Sequence, residues 1–151
     1  MVLDELRDKV HEAISELLVH DGELLVNDAN ERTITHRLAL WLQAQFPEWK
    51  VDCEYNRHYD RTKRLKGIGR KIKRIDDTNG TSVFPDVIIH HRMTDRNLLV
   101  IEVKKSSNPE PNDFDLEKLA AFKNELGYEN GLFLRFVTGV KEPAVAEEIW
   151  T

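Results

Sequence analysis

A chain of 151 residues with 40% apolar and 32% charged residues has the size and balance of one ordinary folded domain, which excludes a disordered chain. No apolar run approaches the roughly eighteen residues of a membrane-spanning helix, and the acidic start "MVLDELRDKV" lacks a signal core, so the expectation is a cytoplasmic protein without membrane attachment. The net charge of −5 argues against coating nucleic acid by overall charge, and the single Cys53 excludes an internal disulfide and disfavours a thiolate zinc site.

Leu6, Val10, Ile14 and Leu17 recur at helical spacing and predict a helix over 3–18, with Gly22 of "HDGE" ending it. "NDAN" at 27–30 offers N-caps for a second helix from Glu31 to about Gln45, with Ile34, Leu38, Trp41 and Leu42 inward and Pro47 closing it. Residues 51–58 alternate as a half-covered strand in which Cys53 reads as a small buried hydrophobe. Eight basic residues and no acids follow in "RTKRLKGIGRKIKR": Arg61, Lys63, Arg64, Lys66, Arg70, Lys71, Lys73 and Arg74. The rest of the chain therefore carries −13, so a concentrated positive segment is set on an acidic body. "DDTNG" then makes a turn.

Residues 83–90 and 98–104 read as strands joined by the short connection 91–97, an antiparallel hairpin with His90 and His91 at its surface. "SSNPEPND" at 106–113 is an irregular linker, 115–126 a helix ending near Gly127, 131–137 a strand, and 143–151 a short terminal helix. The linkage of the last two strands through a helix implies a right-handed parallel crossover. The whole is a single α/β domain over 1–151, a central mixed four-stranded sheet flanked by helices on both faces.

The charges in the apolar strands stand out. Residues two apart on a strand share a face, so Glu102 and Lys104 point the same way, with Leu98 and Val100 before them. The hairpin brings Asp86, at the start of one strand, close to Glu102, near the end of the next. Two carboxylates at close range need compensation, from Lys104 and from a hard divalent cation, magnesium or manganese. Pro85 stiffens the chain before Asp86. Glu31 adds a third carboxylate, on the inward stripe of the second helix and in its first turn.

Pro85-Asp86 followed by Glu102-Val103-Lys104 resembles the PD-(D/E)XK nuclease superfamily, the restriction-endonuclease-like fold. The helical Glu31 and the order of elements over about 28–137 are similar to that family's core. The stretches "NERTITHRLA", "CEYNR" and "LLVIEVKK" look like those of a bacterial group within it. The resemblance implies a metal-dependent nuclease that hydrolyses phosphodiester bonds, with DNA as its expected substrate. It assigns Asp86, Glu102 and the Val103 carbonyl to Mg²⁺ or Mn²⁺, Lys104 to transition-state charge, and Glu31 to a second cation or a water. The basic residues Arg61, Lys63, Arg64, Lys66, Arg70, Lys71, Lys73 and Arg74, together with Lys118 in the third helix, would contact phosphates. Glu54 or Tyr55 would be peripheral to the site. The alternatives are a catalytically silent module that binds nucleic acid or protein, or a subunit that needs a partner. The small size also suits a homodimer or a larger complex.

Overall fold

The computed structural model describes residues 1–55 and 84–151. Between them it describes only the backbone of four two-residue strands, Arg57–His58 paired with Arg61–Thr62 and Arg64–Leu65 paired with Thr81–Ser82. The basic segment 61–74 and the turn at 76–80 otherwise lie outside the described residues.

Two helices open the chain, α1 (Leu3–Val26) and α2 (Glu31–Gln45). The first does not stop at Gly22. Asp21 alone leaves helical geometry (φ −122°, ψ 15°), and the helix resumes for another turn. Its carboxylate accepts hydrogen bonds from Arg37 Nε at 3.1 Å and Trp41 Nε1 at 2.7 Å on α2, and Leu25 beyond it is fully buried. Tertiary packing thus outweighs the local signal of "HDGE". Asn30 caps α2, its Oδ1 accepting from Thr33 N at 2.8 Å, an arrangement that contributes about 1 kcal/mol.

Five strands form the main sheet, not four: β1 (Lys50–Cys53), β2 (Val87–His90), β3 (Asn97–Lys105), β4 (Asn130–Phe136) and β5 (Val145–Trp150), side by side in chain order. All neighbours are antiparallel except β3 and β4, which are parallel and joined through α3 (Asp113–Leu126). The expected antiparallel hairpin and a parallel connection through a helix are both present. The extra strand is the tail that was expected to be a helix. Antiparallel pairing with β4 satisfies its backbone groups, and Val145, Ile149 and Trp150 reach the two cores.

α1 and α2 cover one face of the sheet, packing Leu6, Leu17, Leu38 and Leu42 on Val87, Ile89, Leu99, Ile101 and Leu134. α3 covers the other face, with Leu119 and Phe122 on Ile88, Val100 and Phe133. Leu98 departs from the expected alternation. His90 pairs with Asn97 while Ile89 pairs with Leu99, so Leu98 is the extra residue of a bulge and joins the same core as Leu99. Asn97, buried beside it, donates from Nδ2 to Leu126 O at 2.7 Å and ties the bulge to the end of α3. α3 then stops at Gly127, whose φ of 71° favours glycine.

Candidate functional site

The β2–β3 register sets Val87 opposite Ile101, and one step further Asp86 falls opposite Glu102. β2 pairing begins at Val87, immediately after Asp86. Pro85 before it is buried and offers no N–H to the ladder. Asp86 Oδ2 accepts from Val103 N at 2.8 Å, which locks the carboxylate against β3. Glu102 is 2% exposed and shares the α3 face of the sheet with Val100 and Lys104, as strand alternation requires.

The charge partners differ from the expected ones. Lys104 shares the Glu102 face of β3, but its ion-pair partner is neither Glu102 nor Asp86. Its ammonium pairs with Asp115 in the first turn of α3. The cation at Glu102 is Lys118, one turn further along α3, with Nζ 3.1 Å from Oε1 and 3.2 Å from Oε2. Only the contact to Oε2 has hydrogen-bond geometry, so the fully buried Oε1 meets Lys118 as an ion pair without a hydrogen bond. Residues 115 and 118 lie on one face of α3 and bring an acid over Lys104 and a base over Glu102.

These positions set the protonation states. Burial raises the Glu102 pKa well above the ordinary carboxylate range, the Asp86 charge raises it further, and Lys118 only partly offsets them. Asp86 is raised as well, chiefly by burial, against the pull of Lys118 and the Val103 N–H. Its outer edge opens on a cavity, so it keeps some exposure while most of the carboxyl is enclosed by protein. Burial disfavours the Lys118 ammonium, but Glu102, Asp86 and Asp115 outweigh it and hold its pKa above the usual value. The pair therefore tends to retain a proton on Glu102. That proton, or a cation in its place, would satisfy the lone oxygen.

The cavity beside Asp86 has a volume of about 380 Å³ and is lined by Glu31, Arg32, His36, Cys53 and Glu54 among others. Glu31 thus opens on the same cavity as Asp86. Its Oε2 is held by Lys105 N at 3.3 Å and Asn108 Nδ2 at 3.2 Å. Asn108 is supported in turn by Arg135, which donates to the carbonyls of Asn108 (2.9 Å) and Glu110 (3.0 Å) and to Glu147 of β5 (2.6 Å). Asp28, with φ of 51°, accepts from Ser107 and Thr138 hydroxyls and ties the α1–α2 junction to the ends of β3 and β4.

Several single residues depart from the sequence reading. Cys53 is exposed at the cavity rim, because β1 ends there and Glu54 turns away with φ of 51°. Neighbouring protein and the carboxylates of Glu54, Asp86 and Asp52 push its thiol up to about 11, so it is inert at neutral pH. His90 is not a surface residue. It is buried with Nε2 2.7 Å from Asp52 Oδ2, and Arg92 grips the same carboxylate. His91 stacks on Trp49 with ring centroids 4.3 Å apart. Lys105 is half-buried and donates to the carbonyls of Asp28 and Ala29. Asp115, Asn108 and Arg32 were not singled out by the sequence. Only the i,i+3 spacing of Asp115 and Lys118 could have pointed to one of them.

Among the described residues no three His, Cys, Asp or Glu side chains stand together as a ready metal cage. Asp86 and Glu102 nevertheless fit a hard cation of the magnesium type, which commonly uses one or two carboxylates and keeps the rest of its shell for water and substrate. Glu102 Oε1, which accepts no hydrogen bond, is the atom that such a cation would satisfy. No protein-family model, no curated protein and no solved structure matches this chain.

Proposed function

We propose that the chain is a metal-dependent phosphodiesterase acting on nucleic acid, DNA first, on a restriction-endonuclease-like core. The observation that carries this reading is the buried Glu102 Oε1, without a hydrogen-bond donor, beside a second carboxylate at the edge of an open cavity. A purely structural acid at that depth would have both oxygens hydrogen-bonded, whereas Oε1 meets Lys118 only as an ion pair.

Asp86, Glu102 and the Val103 carbonyl would hold magnesium or manganese, whose contribution there is electrostatic, drawing charge from a phosphoryl oxygen. The chain's own residues do the rest. Lys118 keeps Glu102 ionisable in a buried site. Lys104, fixed by Asp115, supplies positive charge near the phosphoryl group as negative charge develops on it. Glu31, steadied by Asn108 and the Lys105 N–H, faces the cavity where it can orient a water for attack. The basic residues of 61–74 would guide the phosphate backbone to this mouth.

The test is cleavage of linear, nicked and single-stranded DNA, and of RNA, with Mg²⁺, Mn²⁺ or EDTA. Native protein is compared with Asp86→Asn and Lys104→Ala. Metal-dependent cleavage lost in both variants is the expected result. Equal cleavage by all three proteins identifies a contaminant and refutes the assignment. A second reading has one observation in its favour: Lys118 and Lys104 partner Glu102 and Asp115 directly. Folded protein that binds nucleic acid but never cleaves it would select that silent module, or a subunit that waits for a partner.

A further inference from the structure

Arg32 follows Glu31 on α2 and lines the same cavity as Asp86. Its side chain is 78% exposed, yet it is not idle. Nε donates to Glu54 Oε1 at 3.0 Å and Nη2 donates to Oε2 at 2.6 Å, a two-pronged grip across the cavity rim. A guanidinium fork of this kind matches the oxygens of a phosphate as well as those of a carboxylate.

The carboxylate in the fork is unusual in its backbone. Glu54 is a non-glycine residue with φ of 51°, and its N–H donates to Asp86 O at 3.2 Å. Left-handed backbone in such a residue is held by its surroundings and is concentrated at ligand clamps and active sites. Both side chains of the pair face water, Glu54 being 40% exposed, so the pair itself adds little to stability and exchanges readily.

We infer that Arg32 is a receptor for a backbone phosphate of nucleic acid and that Glu54 occupies its fork until the phosphate arrives. The inference rests on the cavity being a nucleic-acid site. It does not require cleavage. A phosphodiester entering beside Asp86 displaces the Glu54 carboxylate into solvent at small cost, and Arg32 then holds the backbone next to Glu31. Glu54 works as a built-in competitor, which discourages weakly fitting anions.

The experiment is a double-mutant cycle on Arg32→Ala and Glu54→Gln. Binding of a short fluorescent DNA duplex is followed by anisotropy across a salt series, in EDTA and in Ca²⁺, with circular dichroism confirming that each protein is folded. Arg32→Ala should weaken binding and lower the slope of log K against log salt by about 1, the loss of one phosphate contact. Glu54→Gln should tighten binding about 2- to 5-fold, the range expected from removing an exposed competing pair. That tightening should vanish when Arg32 is already alanine. An unchanged slope in Arg32→Ala overturns the inference. So does equal tightening by Glu54→Gln in both backgrounds, which would be no more than the loss of one negative charge. Cleavage in Mg²⁺ is measured in parallel. Active protein with a flat cycle refutes the Arg32 role alone, and a clear cycle in protein that never cleaves refutes the catalytic reading alone.

Discussion

Replacing Lys118 with methionine in metal-free protein removes the cation from the Asp86–Glu102 pair and keeps most of the apolar stem. Lys118 lies within 3.2 Å of both Glu102 oxygens, and the two side chains are 12% and 3% exposed, so solvent cannot take its place. Removing one partner of such a buried pair costs about 3–5 kcal/mol. Glu102 can escape part of that cost by keeping a proton, which puts the expected loss near the lower figure at neutral pH. Both carboxyls already have raised pKa values in the fold, so the stability linked to them is present below the ordinary carboxyl pKa and is lost as pH rises through the folded value. The variant raises those values further. Wherever it holds one proton more than the native protein, its stability falls behind by about 1.4 kcal/mol per pH unit, and about two pH units of such a window give the ~3 kcal/mol expected. The melting temperatures should nearly coincide at about pH 4 and separate by roughly 6–12 °C at pH 7, at about 2–4 °C per kcal/mol for a chain of this size. Calorimetric scans in EDTA from acid to neutral pH measure this, and adding Glu102→Gln to the variant should restore much of the loss. A deficit that is the same at every pH, or below about 1 kcal/mol at pH 7, would refute the reasoning, because either means the pair is not electrostatically enclosed.

Glu102→Gln alone should raise the melting temperature of metal-free protein, by relieving its repulsion with Asp86, and should abolish any further rise on adding Mg²⁺. Thermal shift with and without the cation reads both effects. Asn97→Ala removes a buried 2.7 Å bond to Leu126 O and should cost about 1–3 kcal/mol in urea titration, with α3 still formed. Asp52 titrates well below the ordinary range because Arg92 and His90 outweigh its burial. Its contribution to stability is therefore present above about pH 4 and is lost on further acidification. Asp52→Asn should flatten the acid limb of the stability curve, and an acid limb identical to that of native protein would show that the Asp52–Arg92–His90 cluster does not govern it.

The hairpin and the crossover were legible because they follow from short-range rules. Seven residues between two apolar strands leave only an antiparallel return, and a helix between two others demands a parallel one. Register then carried Asp86 to Glu102 without further information. The assignment of cations was not legible. Which lysine meets Glu102 depends on how α3 is rotated on the sheet, and that is fixed by Leu119 and Phe122 packing against Val100 and Phe133. The same packing puts Asp115 over Lys104. His90 was misread because its burial comes from Asp52 and Tyr55 on the neighbouring strand and just beyond it, and Leu98 because a bulge resets the strand period. The tail looked helical for want of any local clue to the open edge of β4. The support of Glu31 by Asn108 and Arg135 links segments about 30 and 80 residues apart, a separation at which no spacing rule operates.

Arg135 has a consequence for local opening. One guanidinium holds the loop after β3 by two carbonyls and the terminal strand by Glu147, while Asn108 in that loop holds Glu31. An edge strand would ordinarily fray by itself, independently of a loop on its far side. Here the two are fastened by the same side chain, so the terminal strand and the support of Glu31 form one cooperative opening unit. In Arg135→Met protein, amide exchange at 145–150 and at 106–110 should separate into two rates, both faster than the single slower rate of the native chain. Unchanged exchange at 106–110 would show that the loop stands without it. The outermost strand of the sheet, remote from the carboxylate pair in sequence, thereby helps set how long Glu31 stays in place.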